Sequence, residues 1–247
     1  MKKTIIALLV LSGIAAGGET VTKDEASALL INKGSKEGWL TNGVSIKSNS
    51  DGSSTLTGVF ATKDGSKSIT TVALTIDVSQ LSTPTANTPF IILDGSTADI
   101  GIGLKSDGKL SSYWDFNSGA DYSHITSSAS FTPGTKGSLT LIFSMATNGT
   151  TLHYINPGTT SYTNGNMNTN DDLYGNLGTV TTLTLSSTAT KAITKMAIWN
   201  DVGAKRDNDL ARSAFNVVST MTTVPEPTTA TLSLLALAGL AARRRRK

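Results

Sequence analysis

Cysteine is absent from the 247 residues. That excludes a disulfide scaffold and any thiolate metal site; it is compatible with export without establishing it. Aromatic residues make up 6% of the chain and charged residues 16%, while Gly, Ser, Thr and Asn are plentiful. So little charge beside so many turn formers suits an all-β body better than a helical one. Only two histidines, His124 and His153, and four glutamates, Glu19, Glu25, Glu37 and Glu226, are present. Few groups are therefore available for proton transfer or nucleophile activation. No Gly-x-Ser-x-Gly elbow, Walker loop or His-Glu-x-x-His occurs, and "GIGLKSDG" lacks the dinucleotide-fingerprint spacing.

An excess of positive charge is also missing from the body of the chain. The formal net charge is +3, but Lys2, Lys3 and the run Arg243–Lys247 are terminal. Between residues 18 and 224, 14 basic residues face 17 acidic ones, a net charge of −3. A nucleic-acid reading based on net charge fails, and the positive charge addresses the two ends of the molecule to membranes.

The N-terminus "MKKTIIALLVLSGIAAGGE" has two lysines, an apolar core and a small-residue exit. That order reads as a secretory signal peptide over 1–17. At the other end, Val224-Pro225-Glu226-Pro227 is followed by an apolar run of about 14 residues, Thr229 to Ala242, and then by Arg243, Arg244, Arg245, Arg246 and Lys247. A bilayer core takes roughly 20 helical residues, so the run is short for a span. Its apolar positions make no single stripe, which argues against a packed amphipathic helix. The arginines would hold its end on the cytoplasmic side.

These three parts, in this order at the extreme C-terminus, resemble the PEP-CTERM sorting signal of Gram-negative bacteria. The resemblance covers residues 224–247. It implies recognition by an exosortase-type membrane protease, cleavage near the Pro-Glu-Pro, and delivery to the outer membrane, the cell surface or the surrounding matrix. Before processing, the apolar helix would be a membrane tether.

The remaining chain, 20–218, reads as one domain of about ten or eleven short strands separated by turns. In "SITTVALTIDV", Thr70, Val72, Leu74, Ile76 and Val78 share one face. Asp107-Gly108 and Asn148-Gly149 punctuate two hairpins. Two short helices are expected: "TKDEASALLIN", with Thr22 and Glu25 at capping-box spacing, and "DNDLARSAFNVV", with Leu210, Ala214 and Val217 or Val218 on one face. Residues 219–223 read as a linker. The expected fold is all-β, a two-sheet jelly-roll sandwich, with two short helices and a C-terminal hydrophobic helix.

"FIILDGSTADIGIGLKSDGKLSSYW", "GTKGSLTLIFSMATNGTTLHYIN" and "MAIWNDVGAKRDNDLARSAF" follow one another as in the laminin-G-like, concanavalin A-like jelly rolls, which this part of the chain resembles. One departure is "GSLTLIF", which lacks that family's usual aromatic and His before the strand. The resemblance implies calcium as the candidate cofactor, with Asp94, Asp171 and Asp172 as candidate ligands supplying hard oxygens. It also implies a glycan ligand. Stacking on sugars needs exposed aromatics beside hydrogen-bonding groups; Tyr113, Asp115 and Tyr122 are the candidates. Glycan-cleaving relatives of this fold use a Glu-x-Asp-x-x-Glu arrangement, which nothing in the chain matches. Asp77 and Asp115 are strand carboxylates, but glycoside cleavage needs a correctly separated pair. His153 reads as an exposed strand histidine, and Trp199 as lying on the face opposite the core residues Met196 and Ile198. The reading is thus a non-catalytic binding module, with a hydrolase or a purely structural envelope component as rivals.

Overall fold

The computed structural model describes residues 20–32, 39–42, 44–61, 70–83, 88–96, 99–107, 109–114, 122–126, 131–146, 149–160, 162–163, 167–168, 179–200 and 208–222. The signal segment 1–17, the tail 224–247, Asp115, Asp171 and Asp172 lie outside them.

Alternating apolar residues make the strands, and the strands sort into two antiparallel sheets. An eight-stranded sheet runs in the order β12 (Tyr162–Thr163), β11 (Gly149–Ile155), β10 (Ser138–Ala146), β5 (Thr70–Asp77), β15 (Ile193–Trp199), β1 (Ala28–Asn32), β2 (Trp39–Asn42), with β13 (Met167–Asn168) also paired to β11. A seven-stranded sheet runs β3 (Ser45–Ser48), β4 (Ser54–Ala61), β14 (Val180–Leu185), β6 (Thr88–Gly95), β7 (Asp99–Leu104), β8 (Leu110–Trp114), β9 (Tyr122–Thr126). The chain crosses repeatedly between the sheets, as a jelly-roll sandwich requires. Both predicted hairpins form, as β7–β8 and β10–β11.

The main core lies between the sheets. Val72, Leu74 and Ile76 of β5, with Leu139, Leu141 and Phe143 of β10, face Leu56, Leu93, Ile100, Ile102 and Leu183 of the other sheet. Each fully buried Leu, Ile or Phe contributes about 1.5–3 kcal/mol relative to exposure.

A second core sits on the outer face of the eight-stranded sheet. The short helix α1 (Ser187–Ala192) joins the sheets, capped by the Ser186 hydroxyl, which accepts the Ala189 N–H. The longer helix α2 (Asn208–Thr220) covers Ala73, Ile142, Ala197 and Trp199 with Leu210, Ala211, Ala214 and Val218. Those four helix residues recur at helical spacing, and Asp209 in the first turn complements the positive end of the dipole.

Three expectations are corrected. The first predicted helix does not form: Ala28–Asn32 is the strand β1, paired with β15 and β2. The Glu25 carboxylate does accept the Thr22 N–H at 2.8 Å, but this closes a turn and starts no helix. Pairing two strands through Leu29 and Leu30 outweighs weak helix propensity. The linker over 219–223 is shorter than expected, because Ser219 and Thr220 belong to α2 and Met221 is buried in the second core. His153 is buried, not exposed, opposite Ile142 of the second core; Trp199 lies on the face opposite Met196 and Ile198, as expected, and is buried there in the second core.

Gly137 precedes β10 with φ +140°, and its carbonyl accepts the Val78 N–H at 2.9 Å. A Cβ there would stand 2.7 Å from Cβ of Pro157. Gly137→Ala is expected to lower stability by about 1–3 kcal/mol, because the backbone conformation is strained for an L side chain and the proline ring must move. The midpoint of denaturant unfolding checks this, and an unchanged midpoint would refute it.

Candidate functional site

The outer face of the seven-stranded sheet carries no described helix, and register fixes what is displayed on it. One row across the strands is Ser45–Thr57–Thr182–Asp94–Asp99. The next is Lys47–Thr55–Thr184–Ile92–Gly101, continued by the Tyr113 and Ser123 positions. The alternation of each strand sends Leu56, Leu183, Leu93 and Ile100 inward and leaves these residues outward. Ser45, Lys47, Thr57 and Asp94 are exposed; Thr55, Thr182, Thr184 and Ile92 are half-buried. The face carries hydroxyls beside Lys47 and Asp94; toward β7 it is closed off, with Asp99 and Gly101 buried.

Asp94 and Asp99 stand directly opposite each other on neighbouring strands. Directly opposed residues on an antiparallel pair have Cβ atoms about 4.5–5.5 Å apart, and like charges there repel. Asp99 is buried, and its Oδ1 accepts the Gly95 N–H at 3.1 Å, which holds the connection between β6 and β7. Ser96 anchors that connection to the start of β14: its N–H donates to the Thr179 carbonyl, and its hydroxyl accepts the Thr179 N–H.

Two carboxylates, one of them committed to a backbone amide, fall short of the six to eight oxygens that calcium takes. Among the described residues no group of three or more His, Asp and Glu could hold a metal. Asp171 and Asp172 lie outside the described residues, so the calcium expectation rests here on Asp94 alone.

Of the three glycan candidates, Asp115 lies outside the described residues, and Tyr113 and Tyr122 are placed by strand register alone. The Tyr113 position pairs with Gly101 and Ser123, in a row of the outer face. The Tyr122 position pairs with Trp114, which is in register with the core residue Ile100. Strand alternation therefore assigns the two positions to opposite faces. Asp77 is a turn former: its carboxylate accepts the Ser79 N–H and hydroxyl at 3.0 and 2.7 Å. Of the two histidines, His153 is buried opposite Ile142, and burial pushes its pKa down to about 4.

The threonine rows were overlooked in the sequence, although a signal was there. "STLTG" and "TLTLS" each carry Thr-Leu-Thr, and the structure places the two triplets side by side in register.

The fold and this face together define an all-β jelly-roll module with a helix on the outer side of one sheet and, among the described residues, none on the outer side of the other. Comparison with known proteins adds the second feature: the chain carries a PEP-CTERM protein-sorting motif over residues 223–247. That motif marks the chain as exported. No curated protein matches it in sequence.

Similar solved structures include the Ca2+/Man-bound exoplasmic/lumenal domain of VIP36, at 10% identity and TM-score 0.41, covering 70% of this chain and 84% of that one. An arabinofuranosidase complexed with arabinofuranosyl-α-1,2-xylobiose matches at 9% identity and TM-score 0.41, covering 79% of this chain and 43% of that one. The native heptameric SAP-like pentraxin from Limulus polyphemus matches at 8% identity and TM-score 0.37, with coverages of 75% and 80%.

Proposed function

We propose that this chain is an exported cell-surface or matrix protein. A C-terminal tail sorts it, and its sandwich is a non-catalytic module that binds glycan on the outer face of the seven-stranded sheet. The sorting motif at residues 223–247 carries the export half of this reading. Before processing, the tail is a tether in the inner membrane and the substrate of an exosortase-type membrane protease. The hydroxyl rows Thr55, Thr57, Thr182 and Thr184 support the binding half. A weakly charged face of hydroxyl donors and acceptors suits a neutral hydroxyl-rich ligand better than an anionic one.

Replacing Pro225-Glu226-Pro227 by alanines is expected to leave the protein at precursor mass in the membrane fraction. Release at the normal rate would remove the sorting half of the proposal.

A glycan array on residues 19–223, with and without calcium, tests the binding half. Thr57→Lys and Thr184→Lys are expected to lower any signal about tenfold or more, since each puts a charged stem where a sugar ring would lie. Signals unaffected by both changes would move the site elsewhere.

The Asp94–Asp99 opposition favours a second reading, a glycan-cleaving hydrolase, because cleavage uses paired carboxyls roughly 5 to 9.5 Å apart. The Asp99–Gly95 hydrogen bond favours a structural role for that pair. Reducing-sugar release that Asp94→Asn abolishes would make the hydrolase the better reading.

A further inference from the structure

Both termini leave the folded body from one patch. The Val21 N–H donates to the Ser213 hydroxyl of α2 at 2.9 Å, and the Trp199 indole donates to the Thr22 carbonyl at 2.8 Å. Val21 and Met221 belong to the same buried cluster on the outer face of the eight-stranded sheet. From Ser213 to Thr220 the helix rises about 10 Å at 1.5 Å per residue, so the entering and leaving chains are neighbours. Four residues beyond Met221 stands Pro225, which an extended chain reaches within about 14 Å. The membrane-addressed segments therefore attach, on short leads, to the helix-covered side.

We infer that, while tethered, the sandwich is held with α2 toward the bilayer and the outer face of the seven-stranded sheet pointing away from it. This rests on the tether reading of the tail. Among the described residues of the segments that carry the exits, Lys23, Lys195 and Arg212 are matched in number by Asp24, Glu25 and Asp209. No large apolar side chain stands exposed there among the described residues. The covalent exits impose the orientation. In consequence the threonine rows are presented outward and stay accessible before the tail is cut. The two faces are roughly 20 Å apart, one helix-on-sheet and one sheet-on-sheet spacing of about 10 Å each.

The absence of cysteine makes the test direct, since any introduced thiol is unique. Full-length chains carrying Arg212→Cys or Asn216→Cys on α2, or Lys47→Cys or Thr57→Cys on the opposite face, are labelled with one fluorophore. Each is reconstituted in phosphatidylethanolamine–phosphatidylglycerol vesicles containing a headgroup-bound quencher. The chain is expected to float with the vesicles, and the α2 probes to be quenched several-fold more than the sheet probes. Flotation with equal quenching, or with stronger quenching of the sheet probes, would overturn the orientation and leave the tether standing. Failure to float would remove the tether itself.

Discussion

Trp199→Ala is expected to destabilise the sandwich by about 3–5 kcal/mol, the cost of deleting a fully buried tryptophan. Trp199 is fully buried within the second core, beside Leu210, Ala211, Ala214 and Val218. Its indole also donates to the Thr22 carbonyl, tying the N-terminal segment to β15. Removing the ring opens a cavity under α2 and releases that segment together. A domain of ordinary stability has only about 5–15 kcal/mol in total, so the alanine variant could fail to fold. Trp199→Phe gives the graded test. It keeps an aromatic ring and loses the N–H, and the Thr22 carbonyl, in an exposed residue, can turn to water. It is expected to cost clearly less than alanine, about 1–2 kcal/mol. Denaturant unfolding of both variants checks the order. An alanine variant as stable as the parent would show that α2 is an ornament on the sandwich and not its second core.

Stability is expected to fall as the pH drops from about 6.5 to about 5, through His153. Its folded pKa is lowered to about 4 because burial disfavours the imidazolium. In the unfolded chain the ordinary value of about 6.5 applies. Between these values the unfolded chain takes up a proton that the folded chain refuses, so acid favours unfolding. The loss runs at about 1.4 kcal/mol per pH unit, roughly 3 kcal/mol over the whole window and about 2 kcal/mol by pH 5. His153→Gln, polar and uncharged, is expected to flatten the curve in that interval. If the parent and the variant lose stability in parallel from pH 6.5 to 5, His153 is not the group responsible.

These two residues show where local reading stops. The strands around Val72, Ile100, Leu141 and Leu183 were legible because period-2 alternation is a local signal, and both hairpins were marked by Asp-Gly and Asn-Gly. The helix at 208–220 was legible for the same kind of reason, with Leu210 and Ala214 at helical spacing. "TKDEASALLIN" failed because its capping pair, Thr22 and Glu25, forms equally well in a turn. The pull of β15 and β2 on Ala28–Asn32 comes from residues far away in the chain. Half of the candidate site was visible as two Thr-Leu-Thr triplets. Their meeting across β4 and β14 depends on a pairing of residues 54–61 with residues 180–185, which no spacing announces.

The sequence by itself determined the all-β class, the helix before the tail and the sorting motif, since each is written in consecutive residues. Only the tertiary structure decided which face of each sheet meets solvent. An alternating strand says that its two faces differ, and is silent on whether something distant will cover the polar-looking one. Here α2 closes one outer face, burying Trp199, while among the described residues no helix lies on the other, where Thr57 is exposed and Thr55, Thr182 and Thr184 are half-buried.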